Sequence, residues 1–200
     1  MYALVENNEI TKFITNPKSM VIGDVRYPAK IFQLWSTSEL EAKGIYEVVF
    51  DDSNKKDEKW YINTNQSYAF ANDTVTASYG SATAKAHADR NGTDEDGVEL
   101  DPVVVIEGLK TKLIKDLKSQ VSNELARTDW YITRNAEKST AIPSAISTHR
   151  DAVRTKQASM ETAITNASDT PTLETLYTYT TDSDGVQQPR PLGKLPILES

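Results

Sequence analysis

The chain has 200 residues, of which 38% are hydrophobic and 26% are charged, and its formal net charge is −7. It contains no cysteine and only two histidines, which excludes disulfides, thiolate zinc sites and multi-histidine metal centres. An acidic chain is a poor general binder of nucleic acid, because neutralising phosphates requires a cationic surface. No apolar run approaches the roughly 20 residues of a membrane helix.

The N-terminal part, residues 1–84, predicts a small β-rich domain. Asn7-Asn8 suits a tight hairpin turn, because asparagine tolerates positive φ. Ser36 and Glu39 have the spacing of a capping box, so a short helix is expected there, and Gly44 lies where that helix ends. Apolar runs predict strands at residues 2–5, 10–14, 20–22, 31–35, 45–50, 59–62, 68–70 and 74–77.

Residues 85–103 predict an acidic linker. The segment has few apolar side chains, so little burial would offset the entropy of ordering it. A calcium loop is the alternative reading, since hard cations bind several oxygens, but the glycine and glutamate of an EF-hand are not at the required spacing. The carboxylates concerned are Asp89, Asp94, Glu95, Asp96, Glu99 and Asp101.

Residues 104–178 are predicted to form a helical domain. Its first helix is expected to start near Asp101-Pro102. Apolar residues recur there every three or four positions, which places them on one face of a long helix with Leu113, Leu117 and Val121 at its centre. A second helix is expected from Pro143 to Thr165, packed on the first as an antiparallel hairpin, and Thr170-Pro171 is expected to cap a last short helix. The apolar stripe consists of Ile106, Leu109, Leu113, Leu117, Val121 and Leu125.

Charged and aromatic residues cluster around the predicted break between these helices. We expect Trp130 to be buried and to lock the helix junction. Arg150 and Arg154 share a helix face, and either one can reach Asp129 or Glu137 if the helices are antiparallel. An ion pair of this kind, or an arginine stacked on Trp130, is the favoured interpretation of these residues and of Arg127 and Arg134. His149 is expected to be an exposed helical residue.

The C-terminal part, residues 179–200, predicts an extended tail. Proline and glycine punctuate it, and its polar start gives way to an apolar end. Exposed apolar side chains reduce solubility unless a partner covers them, so we expect these residues to dock on another surface. They are Leu192, Leu195, Ile197 and Leu198.

The sequence contains none of the motifs GxGxxG, GxxxxGK[ST], HExxH and GxSxG. The predicted strands and helices indicate an α+β protein. Because the catalytic and cofactor motifs are missing, we expect that it is not an enzyme and requires no cofactor and no metal. A sugar- or metal-binding module that uses the aromatic N-terminal strands is a further alternative. The start of the chain lacks the basic and apolar regions of a signal peptide, so we expect it not to be one.

Two segments carry a resemblance to a known family. The opening residues 1–13, followed by Tyr27-Pro28 and residues 36–49, resemble the start of small tail-associated virion proteins of tailed bacteriophages. The pattern Thr-Asp-Trp…Arg…Ile-Pro…Arg…Arg within residues 125–154 is similar to a helical module of phage tail assembly and tail-fibre-associated proteins. Its members here are Thr128, Asp129, Trp130, Arg134, Ile142, Pro143, Arg150 and Arg154.

The resemblance implies a structural protein of a phage tail or baseplate that links or anchors tail fibres or neighbouring subunits. It implies other tail, baseplate or fibre proteins as partners, a homo-oligomer in a symmetric assembly, and residence in the virion tail. A tail or tail-fibre assembly chaperone, absent from the mature virion, is the alternative. Neither segment carries a catalytic residue in the family, so the expected role of these residues is structural.

Overall fold

A computed structural model describes residues 1–64 and 66–198 of the chain. The fold is α+β, as predicted, and the chain divides into two compact units, Met1–Thr83 and the residues from Ala84 onward. The first unit contains β1 (Tyr2–Glu6), β2 (Glu9–Ile14), β3 (Met20–Ile22), β4 (Val25–Tyr27), α1 (Ile31–Leu34), α2 (Thr37–Glu41), β5 (Ile45–Asp51), β6 (Tyr61–Ile62), β7 (Ser67–Ala71) and β8 (Thr74–Ser78), and β9 (Thr83–Ala84) lies at its end.

The first unit is built on a five-stranded sheet with the order β2-β1-β5-β8-β7. All neighbouring strands are antiparallel except β5 and β8, which are parallel. The sheet is curled, since Phe13 on one edge strand and Tyr68 on the other have ring centroids 4.4 Å apart. Strands β3 and β4 form a separate hairpin, and β6 pairs with β9.

Side-chain alternation along β1 gives the sheet two apolar faces, as expected for a strand covered on both sides. Leu4 packs on one face with α1 and α2, whereas Ala3 and Val5 pack on the other. The first face buries Leu4, Ile14, Met20, Ile31, Leu40 and Ile45, and the second buries Ala3, Val5, Val48, Val75 and Ala77.

The turn and cap predictions for this unit are confirmed. Asn7 and Asn8 have φ of 52° and 65°. Ser36 and Glu39 form a reciprocal capping box at α2. Gly44 follows α2 with φ of 73°, and a β-carbon there would lie 2.4 Å from the carbonyl oxygen of Val5, so no other residue fits without moving β1.

One strand prediction in this unit is wrong. Residues 31–35 contain the single helical turn α1 in place of a strand. The apolar run therefore supplies a buried Ile31 to the core from a helix, which periodicity over five residues does not distinguish from a strand.

The described part of the second unit, residues 84–198, contains four helices. Its elements are β10 (Arg90–Asn91), β11 (Val105–Ile106), α3 (Leu109–Ala126), α4 (Asp129–Lys138), α5 (Ser144–Asn166), α6 (Thr170–Tyr177), β12 (Thr180–Thr181) and β13 (Gln187–Gln188).

Helices α3 and α5 pack antiparallel. The Lys110 ammonium near the start of α3 donates to the carbonyl of Thr165 at the end of α5, and Arg150 near the start of α5 reaches Leu125 at the end of α3. The predicted helix break at Pro143 is present, but a separate helix, α4, lies between the two partners of the hairpin. Leu113, Leu117 and Val121 on α3 are buried, together with Ile146, Val153, Met160 and Ile164 on α5.

The start of α3 differs from the prediction. The helix begins at Leu109, whereas Ile106, placed in its apolar stripe from the sequence, is an exposed residue of β11. The segment interpreted as an acidic linker contains β10, which pairs with β11. The carboxylate of Asp89 accepts the Gly108 amide at 2.7 Å and the Thr111 hydroxyl at 2.8 Å, so this segment is tied to the start of α3.

The last helix and the tail also differ in detail. The N-cap of α6 is Asp169, whose carboxylate accepts the amide of Thr172 at 2.8 Å, and not Thr170. In the segment predicted to be an extended tail, β12 and β13 form a small antiparallel hairpin. Asp182 closes its turn by accepting the amides of Asp184 and Val186.

Replacing Leu117 by alanine is expected to lower the free energy of unfolding of the second unit by about 2–5 kcal/mol, because Leu117 is only 3% exposed and packing is not restored around the lost methyl groups. Chemical denaturation followed by circular dichroism measures the change. Lys118→Ala, at the exposed neighbouring position of α3, is the matched control and should have little effect. Equal effects of the two substitutions would mean that the stripe does not pack.

Candidate functional site

The junction between α3 and α4 is held by one side chain of α5. Nη1 of Arg150 donates to the carbonyl oxygen of Leu125 at 2.9 Å, to Oγ1 of Thr128 at 2.7 Å and to Oδ1 of Asp129 at 2.9 Å. Arg150 is 8% exposed and Thr128 is 1% exposed, so the bond between them forms away from water, whereas the Asp129 side chain is 60% exposed. The predicted ion pair between Arg150 and Asp129 is therefore present.

This arrangement follows from what helix ends require. The last carbonyls of a helix have no partner within it and carry partial negative charge, so a cation at the C-terminus of α3 satisfies and stabilises them. Asp129 lies in the first turn of α4, where a carboxylate is favoured for the opposite reason. Arg150 thus bonds the end of one helix and the start of the next at the same time.

Arg154 does not take part in the junction. Its nearest carboxylate is that of Asp151, on its own helix, at 3.5 Å, and both side chains are more than half exposed. The expected alternative pair of Arg150 or Arg154 with Glu137 is not among the ion pairs of the described residues. Exposed pairs of this type contribute little to stability.

Helix α4 presents an aromatic surface to solvent. Trp130 is 51% exposed, so the prediction that it is buried is wrong, and none of the residues of α4 is buried. The predicted arginine stack is present: Cζ of Arg134 lies 4.6 Å from the centroid of the Trp130 ring and 5.5 Å from that of Tyr131. The indole is covered by an arginine one helical turn away, and not by a second helix.

The stack leaves one polar group without a partner. Nε of Arg134 is buried and makes no hydrogen bond within residues 1–64 and 66–198. The rings of Trp130 and Tyr131 have centroids 3.9 Å apart, so the three side chains form one continuous plate. We call Trp130, Tyr131 and Arg134 the α4 plate.

Glu124 joins three parts of the second unit. Its carboxylate accepts Nη1 of Arg127 at 3.0 Å, and Oε1 lies 3.0 Å from Nε2 of His149 on α5. The amide of Leu198 in the tail also donates to it. His149 is 7% exposed, so the prediction of an exposed histidine is wrong: the residue is a core histidine with a polar partner.

The pKa of Glu124 reflects these contacts. Burial acts to raise the pKa and is the largest single effect, but hydrogen bonds and the charge of Arg127, with the bonds from His149 and Leu198, outweigh it. The net result is a pKa below the ordinary value of 4.5. Glu124 is therefore ionised in the folded protein at neutral pH.

The tail residues predicted to contact a partner fall into two groups. Leu192 is 3% exposed, and its amide donates to the carbonyl of Leu176 at 2.9 Å, so it is covered by its own chain and is not available for docking. Leu195 is half-buried, and Ile197 is 73% exposed. Leu198 is half-buried as well, so of the four predicted residues only Ile197 keeps the apolar exposure that the sequence suggested.

The aromatic residues of the N-terminal unit are mostly paired with each other. Tyr2 packs on Phe32 with ring centroids 5.2 Å apart, Tyr27 packs on Trp35 at 5.5 Å, and Tyr46 packs on Phe70 at 4.8 Å. Rings that cover one another have less face to offer a sugar.

Sequence reasoning did not single out Glu124, and it did not predict the roles of Thr128 and Leu198 in the junction. Thr128 accepts a buried hydrogen bond from Arg150, Glu124 contacts His149, and the Leu198 amide joins the tail to Glu124. A threonine between two helical segments is a signal for a polar break, but the arginine that it binds lies 22 positions away. Only the fold brings the two together.

The junction holds α4 in place, because its cations and carboxylates pair with one another, and the α4 plate remains open to solvent.

Comparison with protein-family models, with curated proteins and with solved structures gave no match for this chain. None of the helices in the described part of the chain combines the length and apolar character needed to span a membrane.

Replacing Glu124 by glutamine should flatten the acid dependence of stability. A carboxyl whose folded pKa is lowered stabilises the fold above its unfolded pKa, and this contribution is lost as the pH falls through the folded pKa. The difference in free energy of unfolding between wild type and Glu124→Gln should therefore be full above the ordinary carboxyl pKa of 4.5 and shrink as the pH falls through the lower folded pKa. Urea denaturation across this range measures it.

The matched control for this experiment is Glu137→Gln, at an exposed carboxyl of α4. The pH-dependent change in free energy of unfolding should be clearly larger for Glu124→Gln than for this control, because Glu137 forms no ion pair among the described residues. A Glu124→Gln profile that is parallel to wild type would contradict the coupling of this carboxylate to the fold.

Proposed function

We propose that this chain is a structural protein of a bacteriophage tail or baseplate, resident in the virion tail, that links or anchors tail fibres or neighbouring subunits. The observation that carries the proposal is the α4 plate: Trp130 is half-exposed, stacked by Arg134, on a helix whose start is fixed by Arg150. Tryptophan, tyrosine and arginine are the residues most enriched where protein interfaces concentrate their binding energy.

The fixed position of the plate matters as much as its composition. A side chain that is already ordered loses little conformational entropy on binding. The Arg134 stack orders Trp130, and the Arg150 bonds to Thr128 and Asp129 hold the start of its helix. The plate is therefore suited to bind a protein surface without rearrangement.

The residues of this region coincide with the second segment of the phage-tail resemblance. Asp129 and Arg150 build the junction, Pro143 precedes α5, and Trp130 and Arg134 form the exposed surface. One pattern in the sequence thus contains both the support and the surface. This coincidence supports a binding role in a tail over a catalytic one.

The proposed partners are other tail, baseplate or fibre proteins, and copies of the same chain in a symmetric assembly. Ile197 at the end of the tail adds a second exposed apolar contact. In this proposal the β-rich unit and the helical hairpin with its tail are separate modules, and the chain is made in the host cytoplasm. A chaperone that uses the plate only during assembly is the alternative.

Mass spectrometry of purified particles tests the proposal. We expect the wild-type protein in particles, and we expect Trp130→Ala to be incorporated at a clearly lower level because the plate loses its largest ring. Lys138→Ala, an exposed residue on the same helix, is the control and should be incorporated normally. The particles compared come from genomes that differ only at the substituted codon.

Two results would contradict the proposal in different ways. Absence of the intact wild-type protein from purified particles would favour the chaperone. Incorporation of Trp130→Ala at the wild-type level would mean that the α4 plate is not the contact surface.

A further inference from the structure

The geometry points to a phosphate-binding cavity in the C-terminal segment, formed around Gly193 by the cations Arg190 and Lys194 and supported by Lys156. This site is independent of the α4 plate. It would take a phosphate group, either free or as the monoester of a small organic molecule.

The cavity has a volume of about 420 Å³, which is in the range of small-molecule sites. Its lining contains two cations, two amide side chains and no carboxylate. The chain as a whole is acidic, with 29 acidic and 22 basic residues, whereas the lining of this cavity is positively charged. The lining residues are Tyr179, Gln187, Gln188, Pro189, Arg190, Gly193 and Lys194.

The cations converge on one glycine. Nε of Arg190 donates to the carbonyl of Gly193 at 2.8 Å, and the Gly193 amide donates back to the carbonyl of Arg190 at 2.8 Å. Gly193 has φ of 73°, and a β-carbon there would lie 2.7 Å from Nζ of Lys156 on α5. The absence of a side chain at Gly193 therefore lets a third cation, the Lys156 ammonium, approach the loop.

These cations are oriented but not neutralised. Cζ of Arg190 lies 5.3 Å from the centroid of the Tyr177 ring, and Nζ of Lys194 lies 5.9 Å from that of Tyr179. Within residues 1–64 and 66–198, neither of them nor Lys156 forms an ion pair. The carboxylate of the neighbouring hairpin, Asp182, is occupied by two backbone amides and by Nε2 of Gln188.

The charge of the cluster favours phosphate over a carboxylate. The two cations of the lining, with Lys156 close to Gly193, match a phosphate monoester, which carries between one and two negative charges at neutral pH, better than a carboxylate, which carries one. The Arg190 guanidinium has terminal N–H groups beyond the Nε bond to Gly193, and lysine ammonium groups bind phosphate as point charges. Tyr179 and Pro189 supply an apolar wall for the organic part of a monoester.

Titration of the full chain at low ionic strength, followed by NMR shifts of the Gly193 and Lys194 amides, tests the site. The probes are inorganic phosphate, methyl phosphate and acetate. We expect saturable shifts with both phosphates and weaker binding of acetate. Tighter binding of methyl phosphate than of inorganic phosphate assigns the site to organic monoesters, and equal binding assigns it to free phosphate.

Substitutions localise the binding. Lys194→Gln, at an exposed position that does not support the fold, should weaken phosphate binding about fivefold, the scale of one exposed charge pair. Arg190→Gln should weaken it by about tenfold, because a charge-assisted hydrogen bond is lost as well. Lys118→Gln, an exposed lysine of α3 outside the cavity, removes the same charge and should leave binding unchanged.

Three outcomes would overturn the inference. The first is the absence of saturable shifts with both phosphates. The second is acetate binding as tight as that of phosphate. The third is equal weakening by Lys194→Gln and Lys118→Gln, which would reveal diffuse charge attraction and not a site. Thermal unfolding of each variant checks that the fold is retained, and Lys194→Gln alone decides the question if Arg190→Gln is unfolded.

Discussion

The helical unit depends on one buried guanidinium. Arg150 binds a carbonyl in the last turn of α3, the hydroxyl between the helices and the first carboxylate of α4, so the direction in which the chain leaves α3 is fixed by α5. If Arg150 were buried without these acceptors, the free energy of folding would become less favourable by several kcal/mol. The buried guanidinium therefore requires its partners at the junction. The α3–α5 packing brings Arg150 to the junction, and the junction in turn positions α4.

Two surfaces follow from this constraint. Helix α4 is held at its start by the junction and buries none of its residues. Trp130 is therefore exposed to solvent. In the last turn of α3, the Glu124 carboxylate contacts His149 and accepts the Leu198 amide, so the tail is attached close to the same junction. The exposed plate and the attached tail are thus both consequences of how α3 ends.

The sequence predicted the structure correctly where helical periodicity or a short local motif determines it. The stripe at Leu113, Leu117 and Val121, the capping box at Ser36 and the turn at Asn7-Asn8 each depend on neighbours within a few positions. The Arg150–Asp129 pair was predictable because antiparallel packing and helical spacing leave few partners. The burial of His149, the exposure of Trp130 and the covering of Leu192 were not, because each depends on which distant element lies against the side chain.

A double-mutant cycle between Arg150 and Thr128 tests the central claim most directly. Thr128→Val and Arg150→Met nearly conserve volume, and the cycle cancels the bond from Thr128 to Leu125 that the valine also removes. The account predicts a coupling free energy of about 1–2 kcal/mol, against less than about 0.5 kcal/mol for the exposed pair of Arg154 and Asp151. Additive effects of Thr128→Val and Arg150→Met would contradict it.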